Sequence, residues 1–257
     1  MKKRMTAERR NEIAQLLLKN GNMKASALAE YFDVSTETIR KDLIYLEEQG
    51  IAQKSYGGAI ASSELLLERP VSQKEMERME FKKAIAERAA EMIPKNGVIF
   101  LDAGSSTYAL AKLLTLRKDL TIFTNSIMVL NLLSGSENQV FALGGRVRGS
   151  SKGIVGAWTT QAVRSLHLDL AFLGSDGFRD LSGPSCVSYE EAEVKKAVLK
   201  SSTHSVILCD HTKFLSSSLF QFADWEEISV LITDDCSQLE FKSLAEQISQ
   251  AVELIYV

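Results

Sequence analysis

Val34-Ser35-Thr36-Glu37-Thr38-Ile39-Arg40-Lys41-Asp42-Leu43-Ile44-Tyr45-Leu46 places Ile39, Leu43 and Leu46 at i, i+4 and i+7, one apolar stripe of an amphipathic helix. Ser35 precedes the stripe as the expected N-cap, its hydroxyl able to accept from first-turn amides. Away from the stripe stand Glu37, Lys41 and Ile44, flanked by Thr38 and Arg40. Upstream, Lys24 to Phe32 repeats the helical pattern with Ala25, Leu28, Ala29 and Phe32, and Asp33-Val34 makes a tight corner between the two helices. An earlier helix carries Ile13, Leu16 and Leu17 on one face and stops at Asn20-Gly21-Asn22, a turn signal. Downstream, Ile51 to Ile60 shows short alternation broken by Gly57-Gly58, as expected of a small β-hairpin or wing.

Two helices, a corner and a third helix make a helix-turn-helix, whose last helix can lie in a DNA major groove while its apolar stripe holds it to the scaffold. Candidate DNA contacts are Ser35, Thr36, Glu37, Thr38, Arg40 and Lys41, with Lys54 and Tyr56 on the wing. Arg40 and Lys41 suit phosphate oxygens or guanine edges, and Thr36 and Thr38 add hydroxyls near a helix start whose amides favour phosphate. Asp42 is expected to orient its neighbours Arg40 and Lys41. The formal net charge of the 257-residue chain is −3, which conceals an asymmetry. Residues 1–60 hold ten Lys/Arg against eight Asp/Glu, and the remainder twenty against twenty-five. A polyanionic partner therefore suits the N-terminal segment and not the rest.

Residues 62–75, with Ser62-Ser63, Pro70 and mixed charge, read as a linker. A long helix is expected from Met76 to Ile93, followed by apolar strands alternating with amphipathic helices. The strands are read at 98–102, 120–124, 140–143, 168–174, 205–209, 228–233 and 252–256. Alternation of this kind needs crossover helices, and so implies a mainly parallel sheet covered on both faces. The expected class is α/β: a winged helix-turn-helix at 1–61, a linker at 62–75 and a larger, mainly parallel α/β domain at 76–257. Cys186, Cys209 and Cys236 are odd in number and widely spaced, which argues for a reducing compartment rather than a disulfide framework. Cys209 and His211 lack a second ligand pair, so no metal is expected, and no cofactor either. The chain has no apolar stretch of membrane-spanning length and Met1 to Arg10 lacks the apolar run of a signal peptide, so no membrane partner and a cytoplasmic location are expected.

Phe100-Leu101-Asp102-Ala103-Gly104-Ser105-Ser106-Thr107 carries the clearest chemistry, lying between a predicted strand and a helix over Tyr108 to Leu114. A small-residue loop at a helix N-terminus presents backbone amides and hydroxyls to a phosphate dianion, and Gly104 allows close approach. Capping of an ordinary strand-to-helix loop gives a similar string. Neither nucleotide loop is present, which disfavours ATP and NAD. Other strand ends offer Thr124-Asn125-Ser126, Gly144-Gly145-Arg146, Gly174-Ser175-Asp176-Gly177 and Asp210-His211-Thr212-Lys213, on the side where open α/β sheets bind ligands. From these, Asp102 and Asp176 are candidates for sugar hydroxyls, Arg146 or Lys213 for phosphate charge, and Asn125 for a further effector contact. Glu190 heads a helix whose stripe Glu190, Val194, Ala197, Ser201 points it toward the same cleft or leaves it as a favourable charge at a helix start.

Val34 to Leu43, with Leu46-Glu47-Glu48-Gln49-Gly50 and Tyr56-Gly57-Gly58-Ala59, resembles the winged helix-turn-helix signature of DeoR-type, GlpR-like bacterial regulators. The resemblance extends through Leu101 to Thr107, Thr124 to Ser126, Leu143 to Gly145, Val155-Gly156, Ala171 to Gly174, Glu190 to Lys195 and Asp210 to Phe214. It implies a repressor of a carbohydrate-utilisation operon, a double-stranded operator as partner, and a sensor domain resembling ribose-5-phosphate isomerase that binds a phosphorylated sugar. Where many members have Thr-Pro-Asn ahead of the Glu-Glu-Ala-Glu helix, this chain has Cys186-Val187-Ser188, so the identity of the sugar does not transfer.

The rival reading is a sugar-phosphate isomerase with an appended DNA-binding module, using Glu190 and Lys213 as base and electrophile. The isomerase family has a Lys-Gly-Gly-Gly loop and an Asp-Gly-Ala-Asp-Glu string, where this chain reads Gly183-Pro184-Ser185 and Ser175-Asp176-Gly177-Phe178. Too many catalytic roles go unfilled for an enzyme. Two-fold DNA sites call for a homodimer or homotetramer, assembled through the α/β domain.

Overall fold

A computed structural model describes residues 6–20, 22–48, 52–55, 57–61, 70–178 and 182–257. The chain divides into two units, Met1–Glu68 and Arg69–Val257.

In the first unit the apolar stripes become α1 (Thr6–Asn20), α2 (Ala25–Phe32) and α3 (Thr36–Glu48). Ile13, Leu17, Leu28, Ile39 and Leu46 are all nearly inaccessible, so the three stripes meet in one core. Asp33 ends α2 in the left-handed region at φ 53°, its amide donating to Ala29 and Glu30 carbonyls. Ser35 then starts α3: its Oγ accepts from the Thr38 amide at 3.2 Å and lies 2.8 Å from Thr38 Oγ1. The wing is a three-stranded antiparallel sheet rather than a hairpin alone, because β1 (Asn22–Lys24) joins β2 (Ala52–Ser55) and β3 (Gly58–Ala61) in the order β1-β3-β2. Gly58 permits this addition. A Cβ there would stand 2.1 Å from the Met23 carbonyl oxygen.

The second unit is built on seven parallel strands: β4 (Val98–Leu101), β5 (Thr121–Thr124), β6 (Gln139–Ala142), β9 (Leu168–Gly174), β11 (Ser202–Leu208), β13 (Val230–Thr233) and β14 (Glu253–Tyr256). All seven fall on runs expected from the sequence. Their order is β14-β13-β11-β9-β4-β5-β6, so the chain builds outward from β4 in one direction, then returns beside β4 and builds the other way. The reversal lies between β4 and β9. Strand side chains alternate between two cores, as period-two geometry requires. Phe100, Ala171, Leu173, Ile207 and Leu231 face one core with α8 (Ala157–Arg164), α9 (Tyr189–Lys200) and α10 (Lys242–Ile248). Ile99, Leu101, Ile122, Phe172 and Val206 face the other with α5 (Met79–Glu91), α6 (Ser105–Leu114) and α7 (Ile127–Leu133). Two-stranded ribbons pair β7 (Arg146–Val147) with β8 (Ile154–Val155), and β10 (Ser185–Cys186) with β12 (Phe220–Gln221).

Two expectations change. The helix read as continuous from Met76 to Ile93 is broken at Glu77-Arg78, where Arg78 adopts φ 49° as the N-cap of α5. Ahead of the break lies a separate helix, α4 (Val71–Met76), inside the stretch read as linker. Proline at 70 serves as the N-cap of that helix, and residues from 70 onward pack as part of the second unit. Residues 62–69, the rest of the expected linker, lie outside the described residues.

Candidate functional site

On α3 the residues singled out for DNA stand as the helical period requires. Glu37, Arg40 and Lys41 are exposed, Thr36 and Thr38 are partly so, and Ser35 is exposed at the cap. Ile44 and Tyr45 extend the same outward surface. Arg40 lies 3.5 Å from Glu37 with both side chains largely in solvent, a weak pairing that leaves the guanidinium available. Lys54 lies on β2, but its side chain, like Tyr56 as a whole, falls outside the described residues. Asp42 corrects its expected role. It is nearly fully buried and takes Arg9 Nε at 2.7 Å on one oxygen and Arg10 Nε at 2.9 Å on the other, tying α3 to α1 instead of orienting Arg40 and Lys41. Arg10 also sits 3.9 Å over the Tyr45 ring. Two of the N-terminal cations counted toward DNA thus hold the module together.

In the second unit, open α/β sheets form a crevice beyond the carboxyl ends of the strands where strand order reverses. That point, between β4 and β9, gathers the Asp102–Thr107 loop and the Gly174–Gly177 loop. Gly104 is the N-cap of α6 and no side chain caps it, so the positive end of a ten-residue helix and the half-buried Ser105 and buried Ser106 face the loop. Thr107 is fully buried and donates to the Asp102 and Gly104 carbonyls at 2.7 and 2.9 Å, which fixes the loop. Helix α6 begins at Ser105 because of that turn, three residues before the expected start.

Asp102 is buried against Lys195 of α9 in an ion pair and accepts from the Gly174 amide at 3.2 Å, so it ties the ends of β4 and β9 together. Burial is the largest single influence on the Lys195 ammonium and lowers it, but the charge and hydrogen bond of Asp102, with the charge of Glu191, together outweigh burial and raise it. Asp176 accepts from Lys74 Nζ at 2.8 Å and from the Val187 amide at 3.2 Å. Burial would raise its carboxyl; the charges of Lys74, Lys213 and Lys195 outweigh this and hold it below the ordinary carboxylate range. Asp210 is lowered in the same way, its burial offset by hydrogen bonding from Thr212 and by the Lys213 charge. Lys213 is half-buried, and its charge acts on both carboxylates. Arg146 and Glu190 pair with each other at the exposed rim.

Asn125, at the end of β5, is almost wholly buried. Its Nδ2 donates to the Ile154 carbonyl at 3.3 Å, while Oδ1 is buried with no hydrogen-bond partner. A buried acceptor left this way costs free energy unless something donates to it.

Sequence reasoning missed Glu191, Arg148, Ser151 and Lys195. Glu191 Oε1 accepts from Ser151 Oγ at 2.6 Å and lies 3.1 Å from Arg148 Nε. This fastens the 148–153 loop beside the Asp102–Thr107 loop, where a Cβ on Gly153 would meet the Ala103 Cβ at 2.9 Å. The signal was Glu191 with Lys195 at i, i+4, in phase with buried Ala192 and Val198. The inward acid is Glu191, one residue beyond the predicted Glu190. His211 Nδ1, the Asp234 carboxylate and Cys236 Sγ also cluster, their ligand atoms within 4.8 Å of one another. Asp234 there accepts from the His211 amide and ring and from the Cys236 amide at 2.8 to 3.2 Å, which joins the ends of β11 and β13.

A DeoR-like helix-turn-helix domain model matches residues 9–64, and a DeoR C terminal sensor domain model matches residues 77–235. The HTH-type transcriptional regulator GlpR of Haloferax volcanii is 33% identical over 232 residues, 90% of this chain and 90% of that protein. The glycerol-3-phosphate regulon repressor of Escherichia coli is 30% identical over 228 residues, 88% of this chain and 90% of that one. A solved D-ribose-5-phosphate isomerase in complex with phospho-erythronic acid aligns at TM-score 0.40 and 18% identity, over 68% of this chain and 67% of that chain, too loosely to carry an argument. Both units therefore place the chain in the DeoR family of DNA-binding transcription regulators, and not among enzymes.

Proposed function

We propose that the chain represses a carbohydrate-utilisation operon and that a phosphorylated sugar, bound in the crevice between β4 and β9, alters its hold on the operator. The observation that carries this reading is the strand-order reversal, which brings the uncapped N-terminus of α6 and the half-buried Lys213 to one end of the sheet. The amides of Gly104, Ser105 and Ser106 then take the phosphate, with Lys213 countering its charge. Asn125 Oδ1 accepts a ligand hydroxyl, which gives its buried oxygen a donor. Asp102 and Thr107 position the loop rather than touch the sugar, Asp176 meets a hydroxyl from the opposite wall, and Arg146 with Glu190 closes the rim. The name of the Escherichia coli relative, a regulator of a phosphorylated polyol regulon, supports an anionic polyol as ligand. The protein works in the cytoplasm as a homodimer or homotetramer; no helix among the described residues is long and apolar enough to cross a membrane.

A thermal-shift screen of pentose and hexose monophosphates against their unphosphorylated sugars tests this. A monophosphate at about 100 times its dissociation constant stabilises the fold by roughly 2.7 kcal/mol. Ser106→Ala and Lys213→Ala should blunt the operator response to that compound while ligand-free operator binding is kept. An unchanged response in both variants removes the pocket.

A further inference from the structure

Helix α4 is the first element after the segment joining the two units, and polar contacts fasten it to both rims of the β4/β9 crevice. Its leading amide, Val71 N, donates to the Ser150 carbonyl at 3.0 Å, on the loop that abuts Ala103. Lys74 Nζ reaches the opposite rim, at Asp176 Oδ1, 2.8 Å away. Glu75 pairs with Lys112 of α6 at 2.7 Å. Lys82 of α5 donates to the Lys74 carbonyl at 2.7 Å and to the Glu77 carbonyl, closing the C-terminal end. Val71 is the one residue of this six-residue helix that is buried. An element held by ion pairs and a single buried valine belongs to the low-stability end of a fold, where local opening is easiest.

We propose that α4 is a strap over the sensor crevice, with Lys74–Asp176 as its clasp, and that a sugar phosphate opens it by satisfying both halves of the ion pair. This rests on the sugar-phosphate reading above. Ligand hydroxyls donate to Asp176 in place of Lys74, and the ligand phosphate draws the lysine away. Neither a neutral sugar nor inorganic phosphate offers both replacements. Release converts about 9 Å of helix into up to roughly 20 Å of extended chain, added to the connection between the sensor and the DNA-binding unit. Ligand occupancy is thereby turned into a longer, looser tether.

Amide hydrogen exchange over residues 70–78 of the full-length protein tests the strap, alongside operator affinity. Lys74→Met should speed exchange there roughly fivefold without ligand, as loss of a half-buried ion pair implies. It should also move ligand-free operator affinity toward the wild-type value measured with the stabilising monophosphate. Lys74→Arg, which keeps the charge, should restore both. In the wild type the monophosphate should speed exchange in 70–78, whereas inorganic phosphate and the unphosphorylated sugar should not. Protection of 70–78 that is unchanged in Lys74→Met, or that rises with the monophosphate, overturns the strap. If no monophosphate binds, the sensor reading fails, and the ligand-free comparison of Met and Arg variants still judges the clasp.

Discussion

Single side chains in this protein are committed to partners distant in sequence, and the costs of removing them follow from what they leave behind. Asp42 sits buried between Arg9 and Arg10. Asp42→Ala strands the buried Arg9 and should destabilise the first unit by about 3–5 kcal/mol, seen as a lowered urea midpoint for that unit. An unchanged midpoint would mean the arginines find water or other acceptors at no cost. This partnership was not legible in the sequence, where Asp42 lies next to Arg40 and Lys41 and more than thirty residues from its true partners. Ser35 was legible, because a cap acts within one turn of its own position. Glu191 was missed for Glu190 because helical period alone does not choose between adjacent residues when both are acids; the i, i+4 spacing of Glu191 from Lys195, which puts both on the buried face, does.

Whole elements carry the division of labour. Helix α3 has its apolar stripe in the core and Glu37, Arg40 and Lys41 outward. Lys41→Ala should weaken operator binding by about 1–3 kcal/mol if it reads a base, or lower the salt slope by about one if it meets a phosphate. Thermal stabilisation by the sugar phosphate should be unchanged, and an equal loss of both responses would count against separate functions for the units. Long elements were legible because apolar runs and stripes persist over several residues. The two-residue strands β7, β8, β10 and β12, and β1 with three, are too short for any periodicity to register. Helix α4 escaped for another reason: serine, proline and mixed charge describe a linker and a polar strap equally well, and only the contacts of Val71 and Lys74 separate them.

At the scale of the molecule, the acidic groups of the second unit make its stability depend on pH. The Asp176 and Asp210 carboxyls lie below their ordinary value in the folded protein. Their contribution is therefore complete above the unfolded carboxylate pKa of about 4 and is lost as pH falls through the folded values. Urea midpoints of the second unit should be flat from neutrality to about pH 5 and drop below about pH 4. Asp176→Asn should flatten part of that drop, and an identical acid limb in the variant would assign it to other groups. The Lys195–Asp102 pair bears on the same unit differently. Sealing two opposite charges in an apolar interior has a desolvation cost that a methionine–leucine pair of similar volume avoids, so that double replacement should be neutral or stabilising by about 1–4 kcal/mol. What it forfeits is the carboxylate that the Gly174 amide leans on. The expected product is a regulator that has gone deaf, melting no earlier than the parent yet failing to answer the metabolite.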